Sequence, residues 1–264
     1  MSSSNKLRKR PNFLLRARRQ RMNTAGAPLP GWQMALFHLV MLGAVAGSLG
    51  FDRFISRIVT SSDLMIFAWL NEIEDFGNSK WFLVPSICWL LALLLTRRYI
   101  TSERRDAAAV WLIQAMAYIT ATVAISGITA NLLKRLFGRA RPRALQDHLT
   151  ADWTFFAGNS HFQSFPSGHA TTCLAAMVSL ALLFPRFRIP FLVIGILGAM
   201  ARVTVGAHFP SDIFAGGILG GLFAWWIALY FADRGWVFEP RVGNQPLRRK
   251  EPKAISTFFT GGAG

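Results

Sequence analysis

Residues 107–133 read AAAVWLIQAMAYITATVAISGITANLL, a run of 27 residues without a formal charge. A helix in the core of a soluble protein shows polar residues along one face at helical spacing, and this stretch does not. At about 1.5 Å per residue it is long enough to cross the roughly 30 Å hydrocarbon core of a bilayer as one helix. It predicts a transmembrane span.

The same reading extends outward in both directions. Trp32–Phe51 runs 20 residues without charge, and Trp81–Thr96 runs 16 residues between Lys80 and Arg97, which can snorkel from its ends. Beyond a polar stretch come Thr171–Phe184, Ile189–Ala201 and Ile213–Phe231. The first two of these reach spanning length if Pro166–Ala170 and Arg202–Ala207 continue them. The pattern predicts an all-α, polytopic membrane helix bundle of six transmembrane helices. It has a basic segment at 1–31, a six-helix domain at 32–231 and a tail at 232–264. Pro185 and Pro190 bracket a tight link, and Trp225, Trp226 and Tyr230 sit near one end of the last span. The spacings Gly216 to Gly220 and Gly217 to Gly221 read as helix packing. Scattered apolar positions over Phe54–Leu70 predict a segment lying along the interface.

Composition agrees. Of 264 residues, 52% are hydrophobic and 16% charged, against about 25% charged in an ordinary soluble domain. That much apolar surface excludes disorder for the body of the chain. Cys88 and Cys173 both lie in apolar stretches, which excludes a disulfide scaffold or a Cys-rich metal site.

The basic excess, 29 Lys and Arg against 13 Asp and Glu, suits either nucleic-acid binding or membrane orientation. Six spans allow the charges to be assigned to sides. Residues 1–31, 97–106, 185–188 and 232–264 together carry 20 basic and 5 acidic residues. The opposite side, residues 52–80, 134–165 and 202–212, carries 9 and 8. Lys and Arg mark the cytoplasmic side, so both termini are predicted to be cytoplasmic and no nucleic-acid partner is expected. A retained first span fits the 31-residue basic prefix better than a cleaved signal at Ala44–Val45–Ala46. The Arg-rich, acid-poor prefix also has the character of an organelle transit peptide.

One outer segment defies this bias: Lys134, Arg135, Arg139, Arg141 and Arg143 crowd into ten residues. An anionic ligand outside the membrane is the simplest reason. Three polar groups gather on that side, namely Lys134 with Arg141–Pro142, then Pro166–Ser167–Gly168–His169, then Arg202, His208 and Asp212. Ser167 is placed as a helix N-cap whose following N–H groups face an anion, and Gly168 lets that anion approach the backbone. Lys134, Arg141 and Arg202 supply positive charge and donors to phosphate oxygens, which is most of what phosphoryl transfer requires. His208 and His169 provide a nucleophile and a proton donor. Phe209–Pro210 opens the last helix with proline in its first turn, so Asp212 can fold back and fix the tautomer of His208. His208 and Asp212 find no third ligand nearby for a metal ion.

These residues resemble the signature of the type-2 phosphatidic acid phosphatase superfamily: Lys–x6–Arg–Pro, Pro–Ser–Gly–His and Ser–Arg–x5–His–x3–Asp. The likeness covers residues 134–212, and the layout of spans extends it over most of the chain. Ala201 stands where the family has serine, which removes one hydroxyl donor. The resemblance implies a lipid phosphatase that uses no metal and no cofactor. His208 would attack phosphorus, Asp212 would support it, and His169 would protonate the leaving oxygen. Lys134, Arg141, Ser167, Gly168 and Arg202 would hold the phosphoryl group.

The partners implied are a bilayer and a membrane lipid phosphate. Undecaprenyl pyrophosphate, phosphatidylglycerophosphate, phosphatidic acid and lipid A 1-phosphate all fit, at the periplasmic face of a bacterial inner membrane. A lipid phosphotransferase using the same site, and a non-catalytic anion-binding transporter, are the alternatives; oligomeric state is left open. Arg135, Arg139 and Arg143 lie outside the motif, as headgroup contacts, supports of the motif residues or plain surface charge. The aromatic stretch with Trp153, Phe155, Phe156, Phe162 and Phe165 reads as interfacial anchoring, with a lid over the site as the alternative.

Overall fold

The computed structural model describes Leu42, Ala46 and residues 49–62, 64–143, 153–156 and 158–240. The basic segment 1–31, most of the span expected at Trp32–Phe51 and the tail beyond residue 240 lie outside the described residues. The described residues are helical, with one isolated bridge between Arg139 and Trp153 and no strand. The order is α1 (Asp52–Thr60), α2 (Met65–Glu72), α3 (Lys80–Thr96), α4 (Glu103–Phe137), α5 (Gly168–Leu183), α6 (Arg188–Thr204) and α7 (Pro210–Asp233).

Among the described residues, four helices are long and apolar enough to cross a membrane: α3 with its 3-10 extension to Tyr99, α4, α6 with the preceding turn from Pro185, and α7. Their outward faces are apolar; on α3 Trp81, Val84, Ile87, Trp89, Leu91, Leu94 and Leu95 are exposed. The chain is an integral membrane protein. At 35 residues, α4 is about 52 Å long, well over the roughly 30 Å hydrocarbon thickness. Lys134 lies in its last turn, beyond the uncharged run 107–133. Gly138, at φ 58°, ends it in the left-handed conformation that glycine tolerates best.

The expected extensions of two spans take a different form. Helix α5 starts at Gly168 and has 16 residues, because Ser167 stays extended to let its hydroxyl accept the Ala170 N–H at 3.4 Å. Pro166 is thus not part of the helix, and α5 is a short apolar helix rather than a full-length span. Helix α6 stops at Thr204, and Gly206 at φ 64° turns the chain back. The N–H groups of Ala207 and His208 then both donate to the Arg202 carbonyl at 3.1 Å. That turn returns His208 to the end of the helix that carries Arg202.

The core lies among α4, α5 and α7. Tyr118 is fully buried and donates to the Ala224 carbonyl at 2.8 Å, while its ring meets Phe231 and Phe238 edge-on. Gln114 accepts the Val237 N–H at 2.7 Å, so this amide inside an apolar span has a backbone partner. On α7, Gly216 and Gly220 lie against the carbonyls of Ser167 and Thr171, leaving no room for a Cβ. This close approach locks the start of α5 to the start of α7, where the polar motifs are. Gly217 and Gly221 meet only side chains of Leu174 and Val178.

Helix α1 is inverted relative to a soluble amphipathic helix. Asp52 and Ser56 are buried, whereas Phe54, Ile55 and Ile58 face outward. An apolar outer face fits the interfacial placement expected for this stretch.

Candidate active site

His208 is 1% exposed and sits in the turn between α6 and α7. Its Nδ1 lies 2.9 Å from the Ser164 carbonyl oxygen. A carbonyl only accepts, so the proton belongs on Nδ1 and the lone pair on Nε2. Asp212, the expected partner, is 3.8 Å away through Oδ2, beyond hydrogen-bond reach. Its carboxylate is instead held from three sides. Oδ2 accepts the Phe209 N–H at 2.8 Å and the Ser164 hydroxyl at 2.5 Å, and Oδ1 accepts Arg139 Nη1 at 2.6 Å. Proline at the first position of α7 places Asp212 on its own helix start, where it caps the Phe209 N–H.

Burial pushes the His208 imidazole down to about 4, against the opposing pull of Asp212. The ring is therefore neutral near pH 7 and its Nε2 is an available nucleophile. Arg141, in the loop after α4, is drawn below the ordinary guanidinium value by burial and by the charge of Arg202. Its Nε donates to the Ser160 carbonyl at 3.1 Å and its backbone N–H to that of His161 at 2.9 Å.

The motif residues converge. Lys134 lies within electrostatic range of Arg141, Arg202 and Asp212, and His169 within range of Arg202, His208 and Lys134. Lys134, Gly168 and His169 line a cavity of about 380 Å³. Its lining also includes polar Asn78, Ser79 and Asn131 and apolar Leu83, Val123 and Ile128. Gly168 leaves room there for the Lys134 ammonium, which would stand 2.8 Å from a Cβ at this position. Arg202 pairs through Nη1 with Glu74 at 2.8 Å, and its buried Nε has no acceptor among the described residues. Lys134, Arg141 and Arg202 lie within electrostatic range of one another, one with an orphaned donor, which makes this a candidate anion site. Ala201, where the resemblance expects serine, is fully buried beside Arg202.

Four residues at this site carry no motif signal: Asp52, Glu74, Ser164 and Ser211. Arg139, left open among three readings, is 7% exposed. Its Nη1 meets Ser211 Oγ at 2.7 Å and Asp212, its Nη2 meets Asp52 at 2.7 Å, and Phe209 stacks 4.3 Å from its guanidinium. It supports a motif residue. Arg143 is exposed and donates to the Val205 carbonyl. Trp153 and Phe165 pack edge-on with Phe137 at the end of α4, whereas Phe155 and Phe156 face outward. These contacts favour anchoring over a lid.

The chain is similar to known proteins. A profile described as the PAP2 superfamily matches residues 114–236. A lipid A 1-phosphatase of Rhizobium johnstonii is 38% identical over 88% of this chain and 94% of its own length. One from Rhizobium etli is 37% identical over 83% and 93%. A decaprenylphosphoryl-5-phosphoribose phosphatase of Mycobacterium tuberculosis is 33% identical over 51% of the chain and 66% of its own. The crystal structure of a transmembrane PAP2-type phosphatidylglycerolphosphate phosphatase from Bacillus subtilis superposes with a TM-score of 0.52. It is 20% identical and covers 75% of this chain and 94% of that one.

Proposed function

This chain belongs to the PAP2 superfamily, and on that premise we propose that it is a membrane phosphatase that hydrolyses a phosphate monoester carried on a lipid. The proposed substrate is lipid A 1-phosphate. Relatives named lipid A 1-phosphatase match nearly the whole chain, and a more distant one is named for a phosphate on a lipid-linked sugar. A phosphate on the saccharide headgroup of a lipid is what these names share. The active site is proposed to face the periplasm, because the motif cations lie on the side that lacks the topological excess of Lys and Arg.

The observation that carries the reading is His208: neutral, buried, its Nδ1–H committed to the Ser164 carbonyl, among Lys134, Arg141 and Arg202. In the first step the Nε2 lone pair forms a bond to phosphorus while the ester P–O bond breaks. His169, protonated once the phosphate's negative charge offsets the cations around it, gives its proton to the leaving oxygen. His208 keeps its Nδ1 proton and becomes a phosphorylated imidazolium, supported by Asp212. In the second step water attacks phosphorus, His169 takes its proton, and the N–P electrons return to His208. Lys134, Arg141, Arg202, Ser167 and the Gly168 N–H hold the equatorial oxygens, and no step needs a metal.

Purified protein incubated with lipid A 1-phosphate, phosphatidylglycerophosphate, phosphatidic acid and undecaprenyl pyrophosphate tests this by release of inorganic phosphate. Lipid A 1-phosphate is expected to turn over fastest, and His208→Ala to release none. Normal release by His208→Ala would overturn the mechanism, and a preference for another lipid would overturn the substrate assignment. Phosphate appearing on an acceptor other than water would identify a phosphotransferase.

A further inference from the structure

We propose that Asp52, through the Arg139 guanidinium it shares with Asp212, sets the negative charge available to His208 and is a positioning residue for phosphoryl transfer. The inference rests on the phosphohistidine reading above. Asp52 lies on α1, far from the motif in sequence, and is fully buried, as are Asp212 and Ser211. It takes no part in lining the cavity of Lys134 and His169.

The geometry is specific. An isolated Arg and carboxylate pair usually as a two-pronged clamp, with both oxygens on one guanidinium edge. Here the fork is split. Nη2 goes to Asp52 at 2.7 Å, and Nη1 is divided between Asp212 at 2.6 Å and Ser211 Oγ at 2.7 Å. Asp52 is further tied in by the Ser211 N–H at 2.9 Å and by the Ser211 hydroxyl. Phe209 covers one guanidinium face at 4.3 Å, and Asp52 and Arg139 are both buried although they border a small cavity with Trp153.

Charge gives the arrangement its consequence. One guanidinium between two carboxylates leaves a net formal charge of −1 in a buried array beside a neutral imidazole. Forming the N–P bond while Nδ1 keeps its proton turns that imidazole into a cation. The array and the ring then sum to zero. Buried charges interact more strongly than charges in bulk water, so the array favours the phosphorylated ring over the free one. Without Asp52, Arg139 would belong to Asp212 alone. The pair would be neutral, and the cationic ring would lose that compensation.

Asp52→Asn is the informative variant. It keeps size and an acceptor oxygen, and it leaves Arg139 and Asp212 as a balanced pair, so the fold survives. Arg139→Met would instead strand two buried carboxylates and is expected to fail structurally. With lipid A 1-phosphate, Asp52→Asn is expected to lower kcat about tenfold with KM unchanged, and to slow phosphoenzyme formation in rapid-quench experiments by about the same factor. In an Asp212→Asn background the same change is expected to cost less than about twofold, because the route through Asp212 is gone. If Asp212→Asn turns over too slowly to measure, the phosphoenzyme rate of Asp52→Asn decides alone. A variant that loses thermal stability but phosphorylates at the wild-type rate would reduce Asp52 to a staple for α1. A loss that is undiminished in the Asp212→Asn background would overturn the route through Asp212. Wild-type protein that forms no phosphoenzyme would refute the mechanism itself, an outcome distinct from either.

Discussion

The carbonyl of Ser164 and Nδ1 of His208 stand 2.9 Å apart, and this backbone contact fixes the imidazole tautomer. The Ser164 side chain does something else: its hydroxyl donates to Asp212 at 2.5 Å. The two roles separate on mutation. Ser164→Ala keeps the carbonyl and deletes the hydroxyl. Asp212 retains Arg139 and the Phe209 N–H, so the carboxylate stays held but less well satisfied. A lost hydrogen bond to a charged group is worth about 1.5–3 kcal/mol. A decrease of roughly tenfold in kcat is expected, with phosphoenzyme still formed. Loss of all phosphoenzyme in Ser164→Ala would show that the hydroxyl, and not the carbonyl, orients the nucleophile.

Burial of His208 has a consequence for stability against pH. Its folded-state value near 4 lies below the roughly 6.5 of an exposed imidazole. Between those values the unfolded chain binds the extra proton and the folded one does not. Stability therefore rises with pH through that window: the contribution is fully present above about 6.5 and is lost as pH falls towards 4. Thermal unfolding of detergent-solubilised protein at pH 7 and pH 5 measures it. Wild type is expected to lose more Tm on acidification than His208→Gln, which has no proton to gain. Equal losses would mean that His208 is more solvated than its position indicates.

Gly168 is predicted to act on binding rather than on folding. A Cβ at this position meets only the far end of the Lys134 side chain, at 2.8 Å from Nζ. A flexible ammonium can move aside without disturbing the backbone. Gly168→Ala is expected to fold, to keep Tm within about 2 °C and to raise KM about tenfold, as one phosphate-binding cation is displaced. A fall in kcat at unchanged KM would place Lys134 in the transition state alone.

Much of this was legible in the sequence because bilayers impose long uncharged runs and catalysis imposes fixed spacings. The 27 uncharged residues at 107–133 became the middle of α4, and Ser167 caps α5 as its residue type suggests. Helix ends were less legible. Ile189–Ala201 needs Arg202–Ala207 to reach spanning length, and only the positive φ of Gly206 shows that the chain reverses there. The supports of the site were illegible for another reason. Asp52 and Glu74 meet Arg139 and Arg202 across 87 and 128 residues of sequence. A lone acid in an outer segment looks the same whether it faces water or a buried guanidinium. Asp212 shows the reverse case: its helical spacing from His208 brought the two close, but a nearer backbone carbonyl took the hydrogen bond.

Glu74 and Arg202 supply the last prediction. Their pair, at 2.8 Å, links the 3-10 turn Glu74–Gly77 to the end of α6, with the Arg202 side chain mostly buried and Glu74 half exposed. Arg202 Nη1 cannot give the same hydrogen to Glu74 and to a phosphate oxygen, so an arriving anion must displace the carboxylate or share the guanidinium with it. Glu74 thus opposes anion binding twice, as a competitor and as a like charge. Glu74→Gln removes the charge and keeps the shape. A half-exposed ion pair is worth no more than about 1 kcal/mol, so the gain is bounded at roughly three- to fivefold. Inhibition by inorganic phosphate is the cleanest measure, since it reports binding without turnover. Glu74→Gln is expected to lower the inhibition constant by about that factor, with a smaller decrease in KM for the lipid. A weaker inhibition by phosphate would mean that Glu74 holds Arg202 in its binding geometry, and that the loss of order outweighs the relief of charge.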